Sequence, residues 1–382
     1  MTLRVDVKPE LFRWARERAG IDPDALVQRF PKYREWESGA IQPTLKQLER
    51  LANVTHAPIG SFFLSEPLQE AIPIPDLRTV ANRLAGRASV DLLDTVYLCQ
   101  QRQDWYREYA RMEGEDPLPF VGAATPASDV ESTASTIAAA LALDLDERRT
   151  LGTWTDALRR FIEQVDSLGV LVMVNGVVGN NTRRKLDPEE FRGFALADDL
   201  APLIFINGAD SKAAQMFTLA HELAHIWLGE SALSDVEPAS VPSHQAEMWC
   251  NRLAAELLVP HAAIRDAYRE GEDLPIQLSR LARHFKVSTL VVLRRILDIG
   301  AIDRGEFDLA YRRELDRILS VATAGGGNFH PTLKTRVGQR FGRALVASTL
   351  GGRTSFSESF RLLGIRKPAT LHEFAASLEV AS

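Results

Sequence analysis

The sequence predicts an α+β fold that is mainly α: a small sheet beside a buried helix, with helical domains before and after it. Three observations predict this. Apolar residues recur at helical spacing through 8–66 and 89–167, broken by Pro, Gly and capping side chains. Three short β-rich runs then gather at 169–174, 191–197 and 201–207. Directly after them, Ala213–Gly229 reads as one unbroken helix that carries His-Glu-x-x-His, and further helical runs follow to the C-terminus.

With 382 residues the chain is long enough for two or three domains with real cores. Its 45% hydrophobic and 25% charged content is that of an ordinary soluble protein. No run of about 18 apolar residues offers a membrane span, and the first residues lack the apolar core of a signal peptide. The two cysteines, Cys99 and Cys250, make no disulfide framework, so a reducing cytoplasm is the expected location. A net charge of −6 argues against a protein that coats nucleic acid, although an average can hide a local basic face.

Residues 1–66 form the first expected domain, built of short helices. Pro9–Gly20 has Pro at its start and Gly at its end, and a second helix over 22–30 takes Asp22 as its cap. Helical runs at 33–39 and 42–52 follow. The segment Trp36-Glu37-Ser38-Gly39 with Gln42-Pro43-Thr44 resembles the end of the recognition helix and the next helix of XRE-type helix-turn-helix domains. Only Pro31 and Lys32 stand between Phe30 and Tyr33, so the base-reading part is shortened and the domain reads as degenerate. Lys32 and Arg34, with Glu35, are the polar side chains it offers to a major groove. A docking module that keeps the fold without the DNA contact is the other reading.

Residues 67–150 read as a linker and helical region. Pro67, Pro73 and Pro75 make an extended, semi-rigid start. A long helix over 89–112 packs Leu92, Leu93, Val96, Tyr97, Trp105 and Tyr109, a loop runs from Gly114 to Pro126, and a helix covers 129–143.

Residues 151–271 are the expected catalytic domain, with a helix over 154–167 and then the three strands. In the helix that follows, His221 and His225 stand one turn apart on one face, so two imidazoles can grip one ion. Glu222 flanks the position of an attacking water, and Gly229 is a good stop signal. A third ligand is available in Glu247, on the next helical run, 243–260. Asn251, four residues on and on the same face, could hold the free nitrogen of a ligating His. The loop 175–188, with Asn180, Asn181, Arg183, Arg184 and Lys185, reads as solvated.

These residues carry a family resemblance. His221-Glu222-x-x-His225 followed by Glu247-x-x-x-Asn251-x-Leu253-Ala254-Ala255-x-Leu257-Leu258-x-Pro260 resembles the ImmA/IrrE family of bacterial metallopeptidases. The resemblance implies a gluzincin-like core holding one Zn2+ per chain, with His221, His225 and Glu247 as ligands and Glu222 as general base. It also implies a protein partner. Some members cleave a repressor to release a stress or mobile-element response, and others stand beside a toxin gene and are thought of as antitoxins.

Residues 272–303 have the spacing of a helix-turn-helix-like pair, with Ser288 capping the second helix, and a pair packed on the peptidase is the preferred reading. Residues 304–382 form a helical basic domain. From His330 to Lys367 eight cations, Lys334, Arg336, Arg340, Arg343, Arg353, Arg361, Arg366 and Lys367, face Glu358 as the one local acid. That run reads either as a face for nucleic acid or an acidic partner, or as a solvated surface.

The expected function is a zinc-dependent regulatory endopeptidase that cuts one partner protein, a repressor or a toxin, encoded nearby. Such an enzyme also needs a donor for the oxyanion, and His244, His261 and His330 are candidates. The alternative is a non-catalytic antitoxin or transcriptional regulator, with a structural metal site, that binds a toxin or operator DNA. A homodimer is compatible with both, and no membrane is involved in either. A closed fourth metal position, or a plugged cleft, would favour the alternative.

Overall fold

The structure is a computed structural model that describes residues 4–76, 88–234, 245–322 and 333–379, with the backbone alone over 319–322. Two compact units divide the chain, Met1–Pro73 with Gly86–Val96, and Ile74–Ala85 with Tyr97–Ser382.

The first unit gathers α1 (Pro9–Arg18), α2 (Pro23–Arg29), α3 (Tyr33–Glu37), α4 (Leu45–Thr55) and a 3-10 turn over Ile59–Phe63. Local chemistry sets each start. Asp22 caps α2 by accepting from the Asp24 amide, and Thr44 and Gln47 form a reciprocal capping box on α4. Leu11, Phe12, Leu26, Tyr33, Trp36, Leu48, Leu51 and Phe62 form the core. Because α3 is only five residues long and turns Tyr33 and Trp36 inward, its outward surface is small. Lys32 lies exposed at its start, and Arg34 is exposed but ion-paired with Asp24.

Helix α5 (Val90–Glu113) begins in the first unit and ends in the second. The second unit continues with α6 (Val130–Ala140), α7 (Leu145–Thr150) and α8 (Trp154–Ser167). After these come β1 (Leu171–Asn175), β2 (Val177–Val178), β3 (Asn181–Lys185), β4 (Gly193–Leu196) and β5 (Leu203–Asn207). Helix α9 (Lys212–Leu228) leads to β6 (Ala232–Ser234) and α10 (Gln245–Leu258). The rest is helical: α11 (His261–Ala267), α12 (Leu274–Phe285), α13 (Thr289–Asp298), α14 (Arg304–Ala322), α15 (Leu333–Val337), α16 (Gln339–Leu350), α17 (Phe356–Leu363) and α18 (Pro368–Ser377). The fold is therefore mainly helical with a small mixed sheet, as the sequence predicts. Among the described residues no helix is long and apolar enough to cross a membrane.

The main sheet runs β1-β5-β4-β6. Strands β1 and β5 are parallel, and β4 is antiparallel to both β5 and β6. Every residue of β1, an edge strand, and of the inner strand β5 is buried, which is why both read as continuous apolar runs. One face, with Val172, Val174, Ala195, Ile204 and Ile206, joins the core that holds α8, α9 and α10. The other stacks Phe194 on its register partner Phe205, ring centres 5.0 Å apart. Outside β6, the segment Ile74–Asp76 pairs on in parallel: the Leu233 amide donates to the Pro75 carbonyl at 2.9–3.0 Å separation typical of a ladder bond, here 3.0 Å.

Three expectations need correction. The segment 175–188 is not simply a solvated loop, because β2 and β3 pair as a hairpin within it. The polar sequence Asn181–Lys185 has no apolar alternation to announce a strand. Helix α7 and strand β6 went unforeseen, both too short to give a periodic signal. The basic run of the C-terminal domain is partly neutralised, at three of its eight cations. Arg340 pairs with Glu115, Arg353 with Glu113 and Arg361 with Glu358. Two of those acids lie more than 200 residues away in sequence, so a local charge count could not register them.

Both cysteines are fully buried, and burial pushes the Cys99 thiol up to about 12 and Cys250 well above its ordinary value. Since the thiolate is the reactive form, native protein at pH 8 should give no rapid reaction with Ellman's reagent. Two thiols should titrate once the chain is unfolded in urea.

Candidate metal centre

Helix α9 is the floor of the site. Ser211 caps it by accepting from the Ala214 amide, and Gly229 ends it in the left-handed conformation at φ 69°, as expected of a stop residue. Every side chain from Gln215 to Trp227 is buried, so the helix is a core element with polar groups built into it. Buried polar groups need partners or a ligand. Gln215 satisfies its amide on the Gly208 and Asp210 carbonyls. His221, Glu222 and His225 find their surroundings at the other end of the helix.

The two imidazoles turn toward each other, with their Nε2 atoms 3.1 Å apart. Helix α10 lies across α9 and brings Glu247 to them. One carboxylate oxygen is 3.3 Å from His221 Nε2 and the other 3.1 Å from His225 Nε2. Four donors held tetrahedrally at about 2.05 Å from a zinc-type ion lie roughly 3.3 Å from one another. The observed separations are of that size, with the two carboxylate oxygens each facing one imidazole, and an N,N,O donor set suits a borderline cation. The arrangement also calls for a positive centre, because neutral imidazoles placed nitrogen to nitrogen oppose their lone pairs unless a proton or a cation lies between them. A divalent metal ion fits these residues.

Electrostatics point the same way. Burial alone would raise the Glu247 carboxyl, but the two imidazoles outweigh it and hold the group far below the usual carboxylate range. Glu222 behaves oppositely: burial first, and the Glu247 charge second, push it well above its ordinary value. Burial likewise lowers His225, against the pull of Glu247. Both Glu222 oxygens lie buried without a hydrogen bond of good geometry, and only the nearby Ser234 hydroxyl eases the upward push. Such a carboxyl is costly unless it has a task.

Strand β6 supplies a group that the motif did not announce. Ser234 is fully buried, and its hydroxyl lies 3.3 Å from His225 Nε2 and 3.3 Å from a Glu247 oxygen. It was missed because Ala232-Leu233-Ser234 is too short for a strand signal and a lone serine carries none.

Asn251 does not take the place expected of it. Its Oδ1 is buried without a partner, and so are the Nδ1 atoms of His221 and His225. The Asn251 amide thus makes no hydrogen bond to either ring. The rings are oriented by the packing of α9 and α10, the two helices in closest association here.

Of the histidines considered for an oxyanion, His244 and His330 lie outside the described residues. His261 is engaged elsewhere, with Nδ1 3.3 Å from Glu131 and 3.8 Å from Glu256. Those three could in principle gather a second cation, but Glu256 is ion-paired with the buried Arg295 and Glu131 is exposed.

A buried His-Glu-x-x-His helix crossed by a second helix bearing a glutamate, beneath a small mixed sheet, could hold a metal ion and points to a metallopeptidase-type function. Consistent with this, residues 165–297 match the IrrE N-terminal-like domain, a peptidase family. The match runs from the end of α8 through the sheet, α9 and α10 to the α12–α13 pair. Residues 337–377 match a domain of unknown function, DUF8813. No curated protein matches the chain.

Proposed function

We propose that this chain is a zinc-dependent regulatory endopeptidase that cleaves one partner protein, a transcriptional repressor or a toxin, in a stress or toxin–antitoxin circuit. The observation that carries the reading is the His221, His225 and Glu247 triangle, with separations of tetrahedral size, beside a buried Glu222. Zinc held by that triangle would polarise the scissile carbonyl and make water a stronger nucleophile at neutral pH. Glu222 takes the proton of the attacking water and hands it to the leaving amine. Burial and the Glu247 charge raise its affinity for the proton, the direction a proton acceptor needs. His221, His225 and Glu247 hold fixed positions on two packed helices, so little has to move when charge develops.

One observation favours the second reading, a non-catalytic antitoxin or operator-binding regulator whose metal is structural. His221, Glu222 and His225 are wholly buried and Glu247 is 3% exposed, so no substrate reaches them in this conformation. A single experiment separates the two. The zinc-loaded protein is incubated with the products of its neighbouring genes and intact masses are recorded, in parallel with Glu222→Gln. One discrete cut made by the wild type and lost in the variant is the expected result. A stable complex formed equally by both proteins, with no cut, would sink the peptidase reading.

A further inference from the structure

The burial of the centre has a specific cause in β6. After Gly229 ends α9, the chain turns back, and the Ser231 hydroxyl accepts from the Ala197 amide at 2.9 Å. Ala232, Leu233 and Ser234 then pair antiparallel with Ala195, Phe194 and Gly193. That register sets Ser234 opposite Gly193, the residue of β4 that lies against Glu222. The side chain is delivered to the His225 and Glu247 side of the triangle.

The distances decide what the hydroxyl does there. Its contact with the Glu247 oxygen, at 3.3 Å, is a long hydrogen bond beside the roughly 2.7–2.8 Å usual for an O–H on an oxygen acceptor, and the contact with His225 Nε2 is also 3.3 Å. To these two of the three ligands it stands at the roughly 3.3 Å expected between donors that share one tetrahedral ion. We propose that Ser234 is the fourth donor to the metal in this conformation. It occupies the position that a catalytic centre keeps open for water, so the folded protein is latent and β6 must withdraw before hydrolysis. The coordination by Ser234 rests on the metal reading above alone, and the latency rests on the peptidase reading as well.

The test loads the full chain with Co2+ in place of zinc and follows its visible spectrum. Azide serves as a probe of an open coordination position. The wild-type spectrum should be unchanged by azide, whereas that of Ser234→Ala should shift. Should the alanine variant fold poorly, Ser234→Cys gives an independent readout, because a thiolate on the ion adds a sulfur-to-cobalt charge-transfer band. Its appearance supports the coordination by Ser234 even if no cleavage is ever found, in which case the peptidase reading and the latency fall together. A wild-type spectrum that responds to azide as the alanine variant does, or a cysteine variant without the band, overturns it. Failure of the wild type to take up one Co2+ per chain overturns this proposal together with the metal reading.

Discussion

Glu222→Gln should lower the cleavage rate by roughly 10²–10⁴-fold, the range associated with a lost general base, while leaving one zinc per chain. Glutamine keeps the shape of the side chain in a fully buried slot, so metal content by atomic absorption and the thermal transition serve as controls for a folded protein. The substitution has a second consequence in the metal-free protein. Glu222 binds its proton more tightly folded than unfolded, so its contribution to stability is full below its ordinary value of 4.5 and declines as pH rises toward its folded value. Glu247 has the opposite sign: its contribution is present above 4.5 and is lost as pH falls. Between pH 5 and 8 the loss from Glu222 is opposed by His225, whose lowered folded value makes stability rise with pH. The difference between two proteins therefore isolates Glu222: in urea titrations the chelated Glu222→Gln should change in stability more favourably from pH 5 to 8 than chelated wild type. An equal change in both proteins would remove Glu222 as a source of the pH dependence.

Gly193→Ala is the second large effect, acting on stability. A Cβ at this position would lie 2.5 Å from the Thr218 methyl, 2.8 Å from the Phe205 carbonyl oxygen and 3.3 Å from Glu222 Cγ. Two of those neighbours belong to α9 and one to the backbone of β5, so no single rotamer change relieves the crowding. Overpacking of this kind costs about 1–3 kcal/mol, and urea denaturation should place the variant in the upper part of that range. Adding Thr218→Ser removes the nearest carbon but not the Phe205 carbonyl, so the double variant should recover only part of the loss. Full recovery in that double-mutant cycle would show the strand and helix to be less firmly seated than the distances indicate.

The legible parts of this protein were those with a periodic or spaced signal. His221, Glu222 and His225 sit on a helix whose stop is written in Gly229, and Glu247 follows on a helix of its own. The apolar runs of β1 and β5 also announce themselves, because both faces of each strand are buried. Features made by distant pairing gave no such signal. Ser234 owes its place to the register between β6 and β4, and the pairing of Arg340 and Arg353 depends on acids at the end of α5 and just beyond it, Glu113 and Glu115. Asn251 shows the converse failure. Helical spacing put it on the right face, but whether an amide meets an imidazole depends on side-chain direction as well as on face.

The pairing between Leu233 and Pro75 has a mechanical meaning. Ile74 is the first residue of the second unit, joined covalently to the last residue of the stretch Met1–Pro73. One ladder bond joins Pro75 to Leu233, and the next residue bears the hydroxyl that faces His225 and Glu247. A pull on the chain ahead of Ile74 is thus carried through two peptide units and one hydrogen bond to the rim of the metal centre. Because the single bridge there is parallel, such a load would meet that hydrogen bond in shear.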